Sequence, residues 1–204
     1  MGPAFCVSPF DTMAAMRRPL LAFLVGGAAG FVILLLFQVL SETRLTLGPW
    51  ALNGNGALAV PFIGFPLAIY AGWTALADRA AGRELALRVA SYTAGLILGS
   101  FPLGLFFALP MALVAGAVYL TWSRGAAERR SDRLLWIAFA VSVLLGAIPV
   151  LGLFGVALLP GSLILLARRK PASTRIGLGA LLVAATMLIV FVVPLLFPAA
   201  PPPA

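Results

Sequence analysis

The chain contains no histidine and a single cysteine, Cys6. Without histidine it lacks the commonest general base and the commonest transition-metal ligand. One cysteine allows neither an intrachain disulfide nor a CxxC metal site. Charge is scarce as well: 10% of the 204 residues are charged, against about a quarter in a typical soluble domain. The six carboxylates, Asp11, Glu42, Asp78, Glu84, Glu128 and Asp132, all fall outside the long apolar runs. Proton-coupled transport and intramembrane hydrolysis usually need an ionisable group at depth, so both are disfavoured. Walker, GxSxG and HExxH patterns are missing too. The expectation is a non-enzymatic chain with no cofactor and no metal.

Apolar residues are abundant. They make up 62% of the chain, and the mean hydropathy is +1.10. These values place the chain among integral membrane proteins. The net charge of +8 does not mark a nucleic-acid binder, because the arginines sit in short clusters between apolar runs and form no single basic domain. Arginine outnumbers lysine 13 to 1. This is the bias of a GC-rich bacterial genome, so the expected location is the bacterial inner membrane.

Five blocks hold no ionisable residue: 20–40, 57–77, 89–122, 134–167 and 176–197. The first, second and last are 21 to 22 residues long. Each suits one helix across a core of about 30 Å at about 1.5 Å per residue. The first block follows Arg17 and Arg18 and is too long for a signal-peptide core of about 7–15 residues. It reads as a first transmembrane helix. The residues before it are weakly patterned, with Met13 and Met16 as alternative starts.

The third and fourth blocks are 34 residues each, or about 51 Å as single helices. Basic residues flank both ends of both blocks, and cytoplasmic loops carry the excess of Lys and Arg. Each block must therefore enter and return on the same side, as a helical hairpin. A near-repeat lies where each hairpin should turn: "GSFPLGLFFALP" from Gly99 and "GAIPVLGLFGVALLP" from Gly146. Proline breaks the helical ladder and glycine tolerates turn conformations. The match reads as a duplicated hairpin.

The fold class predicted is all-α: a polytopic helical membrane protein with about seven transmembrane helices, including two helical hairpins. The spans are 20–40, 57–77, 85–101, 104–122, 134–148, 151–167 and 176–197. A cytoplasmic segment, 1–19, precedes one helical domain, 20–197, and a Pro-rich tail, 198–204, follows. All basic residues but Arg44 then face the cytoplasm. Turns near Pro110 and Pro160 are the rival division. The preferred hairpin arms are short, about 22–27 Å, which points to re-entrant arms or a locally thinned bilayer.

Three groups of residues stand out. Pro61, Gly64, Ser100, Pro102, Gly104, Pro149 and Gly152 are candidates for hairpin turns or a cavity, because broken helix ends expose free backbone groups that transporters use. Gly26 with Gly30, and Ser91 with Gly95 and Gly99, form small-residue faces for close helix packing or a partner. Arg124, Arg129, Arg130 and Arg133 are candidate contacts to anionic lipids on the cytoplasmic face. The remaining loop charges, Asp78 with Arg79 and Glu84 with Arg88 among them, read as solvated. Function is expected to be that of a non-catalytic accessory or assembly subunit, with a membrane protein partner or a second copy of itself. The alternative is a small transporter or channel for a neutral or apolar solute.

Overall fold

The computed structural model describes residues 9–42, 45–47, 50–52, 55–123, 128–148 and 151–192. Seven α-helices lie among them. They are α1 (Pro9–Glu42), α2 (Asn55–Ala77), α3 (Gly82–Gly99), α4, α5 (Glu128–Gly146), α6 (Gly152–Ala167) and α7 (Ala172–Met187). The fourth helix, α4, opens with a π-helical turn, Gly104–Ala108, and continues as Leu109–Ser123; α7 ends in a second π-helical turn, Leu188–Val192. Two three-residue strands, β1 (Leu45–Leu47) and β2 (Trp50–Leu52), form an antiparallel ladder between α1 and α2, with Leu45 opposite Leu52.

Four helices are long and apolar enough to cross a membrane, over Arg17–Ser41, Ala59–Ala77, Gly104–Thr121 and Ala172–Phe191. A shorter apolar helix covers Phe154–Ala167. Both long blocks are broken in the middle. α3 ends at Gly99 and the chain turns through Ser100, Phe101 and Pro102 before α4; α5 ends at Gly146 and α6 starts at Gly152. Pro110 and Pro160 lie inside helices, so the rival turn positions are not used.

The structure departs from the sequence reading in three places. Helix α1 starts at Pro9, so the helix extends ahead of the predicted span 20–40. The short ladder before α2 was not foreseen. Helix α2 runs unbroken through Pro61 and Pro66, and therefore presents no broken end there. Each proline removes one donor from the ladder, and both prolines are buried. Arg124, Pro149 and the tail 198–204 lie outside the described residues.

Helices α2 and α6 form the centre. α6 packs on α2, α4, α5 and α7, and α2 also meets α1 and α3. From Gly155 to Ala167 every residue of α6 except Leu158 is buried, with Leu159 and Leu163 fully enclosed. At 16 residues the helix is about 24 Å long. Four neighbouring helices enclose this short helix.

Ion pairs gather the basic clusters at one end of the bundle. Arg18 at the start of the apolar part of α1 meets Glu84 at the start of α3, 3.3 Å apart. Asp78 after α2 binds Arg175 on α7. Asp132 on α5 pairs with Arg169 at 3.1 Å and Lys170 at 3.5 Å, after α6. Arg168 donates to the Tyr119 hydroxyl on α4 and lies over its ring. The turns at 100–102 and 147–148 therefore lie at the opposite end.

Candidate functional site

The site is built around α3, which is held on one face and free on another. The held face is a glycine seam with α1. A Cβ on Gly26 would strike the carbonyl oxygen of Tyr92, and one on Gly30 that of Leu96. In return, Gly95 lies against the Phe23 carbonyl and Gly99 against that of Gly27. Two backbones touch here, and only residues without a Cβ permit it. The predicted small-residue faces thus meet each other within the chain. Ser91, one turn before Gly95, is half-buried.

The turn residues do a similar job. Ser100 is fully buried and its hydroxyl donates to the Leu96 carbonyl at 2.6 Å, which closes the last turn of α3 onto itself. Pro102 is exposed. Gly104 lets α4 start against the Ile97 carbonyl and Ser100 Oγ. Gly152 faces the Gly146 carbonyl, and Gly64 faces the Ile33 side chain of α1. None of Pro61, Gly64, Ser100, Pro102, Gly104 and Gly152 borders either of the two cavities described next.

The two hairpins open differently. α5 and α6 lie side by side, with Gly155 against the backbone of Gly146 and the Ser142 carbonyl. In the first hairpin the residue after the shared Leu-Gly-Leu-Phe is Phe107 instead of glycine. Its ring meets Phe62 edge-on at 5.3 Å and stacks on Phe65 at 6.3 Å, both on α2. Beyond its opening turn, α4 packs mainly on α6 and touches α3 only lightly.

The gap left between α3 and α4 is a cleft of about 570 Å³. It runs from Gly82 and Leu120 at the basic end to Ile97 and Leu109 near the turn. Small residues pave it: Ala86, Ala90 and Ala94 on α3, Ala112 and Gly116 on α4. At its back, Trp73 Nε1 donates to Thr93 Oγ1 at 3.2 Å, which ties α2 to α3. Its mouth at the basic end includes Tyr119, the residue under Arg168.

A second cavity, about 470 Å³, lies on the other side of α3, among α1, α2 and α3. Arg18, Arg79 and Arg88 border it together with Leu21, Val25 and Leu76. The Tyr92 ring forms part of its inner wall and fits because Gly72 has no side chain; its hydroxyl donates to the Ala68 carbonyl at 2.9 Å. Arg88 is only 6% exposed. It donates through Nη2 to Glu84, while its Nε is buried without a hydrogen-bond partner. Arg88, and secondarily Arg18, hold the Glu84 carboxyl below the usual carboxylate range.

Sequence reading placed Glu84 and Arg88 among solvated loop charges; the burial of Arg88 overturns that for the arginine. The spacing of four between Glu84 and Arg88 signals a helical ion pair, but the helices that bury it come from distant parts of the chain. Asp78 pairs with Arg175 and not with its neighbour Arg79. Arg133 is exposed at the start of α5. Arg129 and Arg130 belong to α5, with side chains outside the description. No His/Cys/Asp/Glu cluster able to hold a metal occurs among the described residues.

Comparison with family models, curated proteins and solved structures finds no match to the chain.

Proposed function

We propose that the chain is a seven-crossing bacterial inner-membrane protein, with its N-terminus and its basic end in the cytoplasm. It serves as a non-catalytic accessory or assembly subunit, and its α3–α4 cleft takes one transmembrane helix of a partner. The orientation is supported by the ion pairs of Arg18, Arg169, Lys170 and Arg175, and by the hydrogen bond from Arg168 to Tyr119, which collect these residues at one end.

The cleft carries the functional reading. It follows α3 from Gly82 to Ile97, about 23 Å of helix, close to the depth of one crossing. Ala86, Ala90 and Ala94 are all exposed and recur every fourth residue. With Gly116 and Ala112 opposite, they offer a small-residue face on which a second helix backbone can approach closely. A hairpin closed like α5–α6 would leave no such face.

Photo-crosslinking amino acids at Ala90 and Leu113, followed by gentle extraction and native mass spectrometry, test this. The expected result is a crosslink from both positions to the same second polypeptide, present at one to one. Crosslinks to lipid alone, with a lone chain in the spectrum, would overturn it.

A further inference from the structure

We propose that the cavity among α1, α2 and α3 binds the phosphate of an acidic phospholipid, with Arg18, Arg79 and Arg88 as its donors. The inference goes beyond the partner reading, and takes from it only that the bundle sits in a bilayer. Charge is the first support. The three guanidiniums bring three positive charges, and Glu84, the carboxylate paired with two of them, returns one. The cavity keeps an excess of about two. Asp78 offers no relief because it is engaged by Arg175.

Arg88 is the second support. A buried guanidinium is costly unless its donors are satisfied. Here only one carboxylate oxygen serves it, Nε is enclosed without a partner, and other atoms of the side chain border a cavity wide enough for a headgroup. A tetrahedral oxyanion is the group that several guanidiniums recognise together. Arg79 is exposed and has no ion pair among the described residues. It stands ready at the cavity edge.

The walls select a lipid over a free anion. Leu21 and Val25 on α1 border the cavity and are 52% and 61% exposed, so the arginines at one end continue into an open apolar side. A headgroup phosphate on the arginines would lay an acyl chain along Leu21 and Val25. The site is separate from the Arg124–Arg133 cluster, which precedes and begins α5.

Native mass spectrometry of the full chain in detergent, titrated with phosphatidylglycerol, phosphatidylcholine or inorganic phosphate, tests the assignment. Phosphatidylglycerol is expected to give a one-to-one adduct, and phosphatidylcholine only weak multiple adducts. Arg79→Gln touches no ion pair and should weaken the adduct about fivefold; Arg18→Gln with Arg79→Gln should weaken it about 30-fold, at about 1 kcal/mol for each arginine. Arg133→Gln should leave it unchanged. Equal binding of the two lipids, or an unchanged adduct in the double variant with an unshifted melting temperature, would overturn the site. Displacement of phosphatidylglycerol by millimolar inorganic phosphate, with phosphate bound alone, would overturn the lipid as its ligand. Loss of all lipid association would instead count against the membrane reading.

Discussion

Gly155 of α6 lies directly against the backbone nitrogen and Cα of Gly146 at the end of α5, with no room for a Cβ. The contact closes the second hairpin, and its counterpart Phe107 keeps the first one open. Gly155→Val should therefore force α5 and α6 apart. Overpacking of this kind costs about 1–3 kcal/mol, and Gly155→Val is expected to melt well below the parent in detergent. Phe107→Gly should have a different signature. It removes the ring from Phe62 and Phe65, and a cysteine pair at Ala94 and Leu113 should then crosslink faster as the first hairpin closes.

The α1–α3 seam makes a sharper contrast between glycines. Gly26 and Gly95 each face a carbonyl oxygen across the seam, whereas Gly177 on α7 has open space around it. Gly95→Leu should destabilise strongly, because backbone and not a flexible side chain must yield. Gly177→Ala should do the reverse and stabilise by about 0.4–1 kcal/mol, through helix propensity and a less mobile unfolded chain. Thermal unfolding of the two single variants separates a packing glycine from an incidental one.

The helix breaks were legible because local chemistry dictates them. Pro102 cannot donate within a helix, arginines sit at both ends of each long block, and the turns fall near the middle. The start of α1 was not legible, since the residues around Met13 and Met16 carry no apolar period yet continue the helix. The central place of α6 was hidden by its length: a short apolar arm reads as a poor crossing, and only the packing of four neighbours shows why it is short. The arginine-lined cavity was hidden more deeply. Arg88 looks like a helix-end charge in sequence, and its burial depends on α1 and α2 closing over it.

The proposed sidedness, with the basic end in the cytoplasm, can be read by labelling. With Cys6 replaced, single cysteines at Ala126 and Leu103 should react with a membrane-impermeant maleimide from opposite sides of the membrane. In sequence Ala126 falls between α4 and α5, and Leu103 follows the turn after α3. Right-side-out cells should label Leu103 and spare Ala126 until they are broken open. Labelling of both from one side would exclude the hairpin between α3 and α4.

Glu84 sets the acid limit of the arginine-rich end. It accepts from Arg88 of its own helix and from Arg18 of α1, with Arg79, in the turn after α2, bordering the same cavity. Its carboxyl is held below the ordinary value of 4.5, first by the hydrogen bond from Arg88 and then by that from Arg18. A depressed folded value means that the unfolded chain takes up the proton first as pH falls. The stabilisation is complete above about 4.5 and drains away as the pH drops through the folded value. Wild-type protein should therefore lose melting temperature on acidification below that point. Glu84→Gln should start lower at neutral pH, because it leaves the buried Arg88 without its anion, and should show a flatter acid limb. An acid limb of wild-type steepness in Glu84→Gln would remove Glu84 as the source of the acid sensitivity.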